Sequence, residues 1–258
     1  MIISVVSGKG GVGKTFTSIN LATIFAKDLG EKVLVVDTNF TSPTVATHFG
    51  VVPDSHTIDE ALAKGTYNPT DLIWIHPAGF HFVTPSFNLV ALDDQALNTI
   101  FEMLRPLFQN YDVVILDGPA GIGRDVYFTI ANSDMSLIIA NPNYPSLYNA
   151  LKTAHFAKAL GKMVPGAVLN MYRKGLVSPQ EASEILELPL LAVIPEDPTV
   201  KEALQHGQPL VEYKPDAPAA RGLYELAEAL TGKEIRRKRG GSGGFADILR
   251  KIKDFLLS

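Results

Sequence analysis

Cysteine is absent from this chain of 258 residues, and tryptophan occurs once. Without a thiol there is no disulfide, no thiolate zinc site and no cysteine-held iron–sulfur cluster. Long apolar runs are missing too: no stretch approaches the ~18 consecutive apolar residues of a spanning helix. The opening run Met1–Val6 is much shorter than a signal-peptide core and no basic segment precedes it. These absences set the expectation of a cytoplasmic protein that does not cross a membrane. The six histidines are scattered, with no pair at metal-ligand spacing, so none is assigned to a metal. What is present is an ordinary globular composition, 46% hydrophobic and 19% charged, at a length that suits one α/β domain with appendages.

Charge is unevenly placed. Residues 233–258 carry a formal +5, which leaves −9 on the rest of a chain whose total is −4. A basic tail on an acidic body directs the tail to an anionic surface and argues against nucleic-acid binding by the body. The expected partition is a domain over 1–231, a basic, glycine-rich linker over 232–244 and an amphipathic helix over 245–258. In that last segment Phe245, Ile248, Leu249, Ile252, Phe255 and Leu256 recur at helical spacing, while Arg250, Lys251 and Lys253 lie on or beside the polar face. Membrane surface is the reading preferred over a protein groove or docking on its own domain. The run Arg236–Arg239 beside it reads as juxtamembrane electrostatics.

Within the body, short β-branched runs alternate with helical patterns. The runs at 2–6, 32–37, 112–117, 135–140, 164–170 and 188–195 are almost continuously apolar, as strands buried on both faces must be. Helical spacing occupies 15–29, 92–108, 144–160 and 217–230. The alternation predicts a mostly parallel, twisted sheet with helices on both faces. Residues 72–85 read as a short extra hairpin in which Trp74 serves packing.

The first strand runs into Ser-Gly-Lys-Gly-Gly-Val-Gly-Lys-Thr, residues 7–15. Gly8, Gly13, Lys14 and Thr15 satisfy G-x-x-x-x-G-K-[ST], the phosphate-binding loop, in the required place between strand and helix. Glycines let backbone N–H groups turn onto phosphate, Lys14 neutralises its oxygens, and the Thr15 hydroxyl suits Mg2+. The loop's residues Gly8, Lys9, Gly10, Gly11, Val12, Gly13, Lys14, Thr15 and Phe16 form the candidate nucleotide cradle. Asp117 and Asp37 each end an apolar run, where a strand tip brings a carboxylate to a metal held with Thr15.

Together with "VLVVDTN", "VVILDGPAG", "ANPNYPSLYNALK" and "VIPEDPTVKEALQHGQPLV", the loop resembles the MinD/ParA group of deviant Walker A ATPases, and the MinD branch of it in particular. The resemblance runs from Met1 to about Leu230 and, with the tail, over the whole chain. It implies a P-loop fold, ATP and Mg2+ as ligands, and a homodimer holding two ATP at its interface, with Lys9 reaching the partner's nucleotide. It also implies a cell-division ATPase, cytoplasmic and peripheral on the inner face of the membrane, with an activating or cargo protein. Lys9, Lys14, Asp37 and Asn39 would be the catalytic set. Asn170 would meet the adenine edge, with Pro195 and Asp197 shaping its pocket.

Two positions depart from the group's pattern. Asn39 stands where a water-positioning aspartate is usual, and an amide orients water without accepting its proton. Slow or partner-dependent hydrolysis, lost hydrolysis and a substitution made to trap the ATP-bound dimer are all compatible with it. After Asn170 the chain reads Met171, Tyr172, Arg173, so the arginine usual beside the asparagine is displaced. Three functions compete: an ATP-driven, membrane-binding dimerisation switch, a ParA-like DNA-partitioning ATPase, and a nucleotide-gated scaffold with little turnover. The acidic body and the tail make DNA binding the unfavoured choice.

Overall fold

The computed structural model describes residues 1–65, 68–87 and 92–235. Most of the linker and the whole of 245–258, with the stripe from Phe245 to Leu256, lie outside the described residues. The strands are β1 (Ile2–Ser7), β2 (Val33–Asp37), β3 (Trp74–Ile75), β4 (His81–Val83), β5 (Val113–Ala120), β6 (Met135–Ala140), β7 (Ala167–Tyr172) and β8 (Leu190–Pro195). Between and after them come α1 (Lys14–Lys27), α2 (Val45–His48), α3 (Ile58–Lys64), α4 (Asp94–Phe108), α5 (Arg124–Ala131), α6 (Tyr144–Ala159), α7 (Pro179–Leu186), α8 (Thr199–Gln205), α9 (Leu210–Tyr213) and α10 (Pro218–Thr231).

Among the described residues, eight strands form one sheet in the order β3-β4-β2-β5-β1-β6-β7-β8, parallel throughout except where β3 meets β4. The expected hairpin is real, but it is no appendage: β4 pairs in parallel with β2, from Leu34 against His81 to Val36 against Val83, and so extends the main sheet. Trp74 stacks on Phe82 and donates its indole N–H to the His56 carbonyl at 3.2 Å, so it is a packing residue of this edge.

Continuous apolarity has the expected cause. Alternate strand residues enter different cores: Ile3, Val5, Val33, Val35 and Ile115 pack with α1 and α10 on one face. On the other, Leu34, Val36, Val114 and Leu116 meet α3 and α4, and Val6, Ile138 and Leu169 meet α5, α6 and α7. A polar residue at either register would face one of these cores, and the few that occur, such as Ser4 and Ser136, bond each other at 2.8 Å. The strand order reverses around β1 and β5, and the crevice beyond the carboxyl ends of parallel strands at such a point is where ligands bind.

Candidate functional site

The loop from Gly8 to Gly13 rises from the end of β1 and delivers α1. Gly13 precedes the helix at φ 98°, a left-handed conformation that a side chain resists. A Cβ there would also lie 2.1 Å from the Asn170 amide nitrogen, so only glycine fits on both counts. Gly8 sits equally close to α6, where a Cβ would come 2.2 Å from the Asn149 carbonyl oxygen. With no acidic residue in its first turn, α1 points its positive dipole end at the loop without competition.

Lys14 Nζ donates to Ser7 Oγ at 3.1 Å, and Ser7 in turn donates to the Lys9 carbonyl at 2.7 Å, which braces the loop from within. Burial lowers the Lys14 pKa, and the charge of Asp117 opposes that shift. Thr15 Oγ1 donates to Asp117 Oδ2 at 2.6 Å and lies 2.8 Å from Thr44 Oγ1; Ser18 donates to Asp117 Oδ1 at 2.8 Å. Burial raises Asp117 against those hydrogen bonds and Lys14.

Asp37 faces Asp117 in register across β2 and β5. Its carboxylate accepts from the backbone N–H groups of Asn39 (3.0 Å), Thr44 (2.6 Å) and Val45 (2.8 Å). It therefore anchors the 39–45 segment to the end of β2. Burial and the Asp117 charge push Asp37 up to about 7 despite those three donors. The convergent oxygens of Thr15, Thr44 and Asp117 are the hard donors that suit Mg2+.

A cavity of about 490 Å³ opens in front of this corner. Gly10, Gly11, Gly13, Lys14, Thr15 and Asn39 line its phosphate end, Phe16, Pro195 and Asp197 its far end, and Asn170, bonded to the loop at Val12, lines it as well. Gly8, Lys9 and Val12 do not line it, and Asp37 and Asp117 lie beneath its floor. Lys9 is exposed, and among the described residues its ammonium makes no hydrogen bond or ion pair. Asn39 donates its amide to the Ser42 carbonyl at 2.5 Å, turned into its own loop.

Asn170, expected to meet the adenine edge, is 3% exposed and donates Nδ2 to the Val12 carbonyl at 2.7 Å, so its amide nitrogen also braces the phosphate loop. Asp197 caps α8 through Thr199 N (2.9 Å) and Oγ1 (2.6 Å) and receives Ala219 N at 3.1 Å; these bonds lower its pKa although burial opposes them. Arg173 Nε lies 3.9 Å from Oε2 of Glu196, a residue that lines the cavity.

Sequence reasoning missed Ser18, Thr44, His48, Met171, Lys201 and Leu204. Ser18 was recoverable, being one helical turn beyond Thr15 and hence on the same face. The others come from separate elements, and no local pattern marks them. His48 lines the cavity, and burial pushes it down to about 4; its neighbour His76 is pushed to about 3 by burial and by His48.

The family model for the CobQ/CobB/MinD/ParA nucleotide-binding domain matches residues 3–210. The chain belongs to that family. It is 33% identical over 232 residues to an uncharacterised ATP-binding protein of Methanocaldococcus jannaschii, covering 89% of this chain and 87% of the relative. It is also similar to the crystal structure of the cell division ATPase MinD of Pyrococcus furiosus, with a TM-score of 0.80, 32% identity and coverage of 90% of this chain and 98% of that one. The septum site-determining protein MinD of Pyrococcus horikoshii, solved in complex with Mg-ADP, gives a TM-score of 0.79 at 30% identity, covering 89% and 95%. The expected P-loop fold of the MinD/ParA type is thus the fold of this chain.

Proposed function

We propose that this chain is an ATP-dependent dimerisation switch that hydrolyses ATP slowly and binds membrane reversibly as its ATP-bound dimer, where it positions a partner protein. The observation that carries the reading is the pair of lysines in one loop. Lys14 is turned inward to its own phosphate site, whereas Lys9 stands exposed at the loop's start, its ammonium without a partner among the described residues. A cation left outside its own cavity is free to meet a second molecule's nucleotide, where it would neutralise charge developing during phosphoryl transfer.

ATP and Mg2+ are the ligands that the site's chemistry favours, in keeping with the Mg-ADP complex of the Pyrococcus horikoshii relative. Thr15 and Asp117 would hold the metal, with Thr44 beside them. Bound there, the metal offsets the charge of the buried carboxylates and of the phosphates. Lys14 and the amides of Gly10–Thr15 would bind the β and γ oxygens, and Asn39 would orient water at the loop's edge. Phe16, Ile194 and Leu204 would exclude water from the base.

One tail should bind membrane weakly: an isolated helix of this length is marginal in water and must order as it binds. Two tails on one dimer gain an effective-concentration advantage of order 10². Membrane residence would then report nucleotide state. Liposome sedimentation tests this with anionic vesicles, ATP against ADP, and a chain ending at Arg239 as control. The reading predicts sedimentation with ATP only and none for the shortened chain; equal sedimentation in both nucleotides contradicts it.

The scaffold reading draws on one observation, the Asn39 amide at the position of a water-orienting carboxylate, bonded to Ser42. Turnover that stays absent with membrane present, while dimerisation persists, would favour it. DNA partitioning is opposed by the −9 carried outside the tail. ATP-dependent, salt-sensitive binding to non-specific DNA would revive it.

A further inference from the structure

Thr38 and Thr129 are both fully buried, at 0% exposure, one between Asp37 and Asn39 and the other in α5. Valine has their shape and would fill the same space without a polar atom. A hydroxyl at such a place is unfavourable unless it is bonded. Here both are bonded, and to each other: Thr129 Oγ1 lies 2.9 Å from Thr38 Oγ1 and 2.7 Å from the Asp125 carbonyl, while Thr38 Oγ1 lies 3.0 Å from the Asp117 carbonyl.

Each hydroxyl has one proton to donate. Two protons thus serve three oxygen–oxygen contacts. Between the threonines Thr129 is the donor, which leaves Thr38 to donate to the Asp117 carbonyl. That carbonyl also accepts Thr38 N–H at 3.0 Å. Giving each threonine its backbone acceptor at once would leave two oxygens 2.9 Å apart with no proton between them. The pair must therefore order together.

The ends of this chain of bonds are the two walls of the phosphate site. Thr38 is contiguous with Asp37, whose carboxylate holds Thr44 and Val45, and with Asn39. Asp125 is in the first turn of α5, which the short connection 121–123 joins to the end of β5, where Gly118 and Ala120 line the cavity. We propose that Thr38 and Thr129 are positioning residues for the phosphate site, a hydroxyl relay that makes the 39–45 and 118–125 segments respond as one to the phosphate group held between them. This deepens the proposed function and rests on its reading that the site binds a nucleoside di- or triphosphate.

The test uses the full chain, Thr38→Val and Thr129→Val, with Thr38→Ser and Thr129→Ser as the variants that keep the hydroxyl. Amide hydrogen exchange is followed over 39–45 and 118–126 without ligand, with Mg-ADP and with Mg2+ plus a non-hydrolysable ATP analogue, beside the two affinities. In the wild type both segments change protection together between the two ligands. In either valine variant only one segment should respond, and preference for the analogue over ADP should fall about tenfold, within the usual range of coupling energies. The serine variants should restore both. Joint response and unchanged preference in the valine variants overturn the relay. So does an equal loss of both affinities that serine fails to rescue, since that marks a packing role alone. If the wild type binds neither nucleotide, the proposed function fails. The relay is then judged on ligand-free exchange, where Thr129→Val must speed exchange across 39–45 and an unchanged rate overturns it.

Discussion

The two ends of the cavity are built in opposite ways. At the phosphate end, residues 8–15 are contiguous and offer backbone N–H groups, a helix dipole and one lysine, braced by Ser7 and Asn170. At the base end, Phe16, Met171, Ile194, Pro195, Val200 and Leu204 arrive from α1, β7, β8 and α8, with Lys201 among the polar residues there. The first end concentrates charge and fixed geometry, and the second supplies mostly apolar area. Binding free energy should then be concentrated at few phosphate-end positions and spread thinly at the base end.

The largest break in that contrast should come from Lys14→Ala. Removing the half-buried cation beside Asp117 should cost about 10²-fold or more in Mg-ADP affinity, measured by titration calorimetry. Asp117→Asn comes next: at least about a tenfold loss of the Mg2+-dependent part of nucleotide affinity, seen by titrating with Mg2+ and with EDTA. Asn170→Ala leaves the Val12 carbonyl unpaired and should destabilise by about 1–3 kcal/mol. For a chain of this size that is a fall in Tm of about 2–4 °C per kcal/mol, read by thermal melting without ligand.

Two smaller effects sharpen the other side of the comparison. His48 and His76 are held neutral by burial, at about 4 and about 3, so protonation favours the unfolded chain. Their contribution is intact above the ordinary histidine value and is lost as pH falls from about 6.5 toward those values. His76→Gln should therefore flatten the acid limb of a Tm-against-pH curve, and an unchanged limb would remove His76 from it. Leu204→Ala, at the rim of the base end and 48% exposed, should weaken ADP by only a few-fold. A loss there as large as that of Lys14→Ala would erase the contrast.

The same division explains what the sequence revealed. Six strands were legible because burial on both faces removes polar residues from them, and the phosphate loop was legible because backbone binding demands glycines at set spacings. The hairpin was seen but not its pairing with β2, since register between distant strands leaves no local mark. Asn170 was found through its place at a strand end, but the Val12 carbonyl it braces lies 158 residues away. Asp37 was read as a metal and catalytic residue; its three bonds to the backbone of 39–45 depend on a loop conformation that periodicity does not encode. Thr44, Met171 and Leu204 are ordinary residues until folding brings them to one cavity.

The central claim is that one loop serves two nucleotides, Lys14 its own and Lys9 a partner's. Light scattering of size-separated protein with Mg-ATP or Mg-ADP, for wild type and Lys9→Ala, tests it most directly. The account predicts twice the monomer mass for the wild type in ATP alone, and monomer for Lys9→Ala in both nucleotides with ADP affinity retained. Lys9→Ala that dimerises in ATP as the wild type does would contradict it.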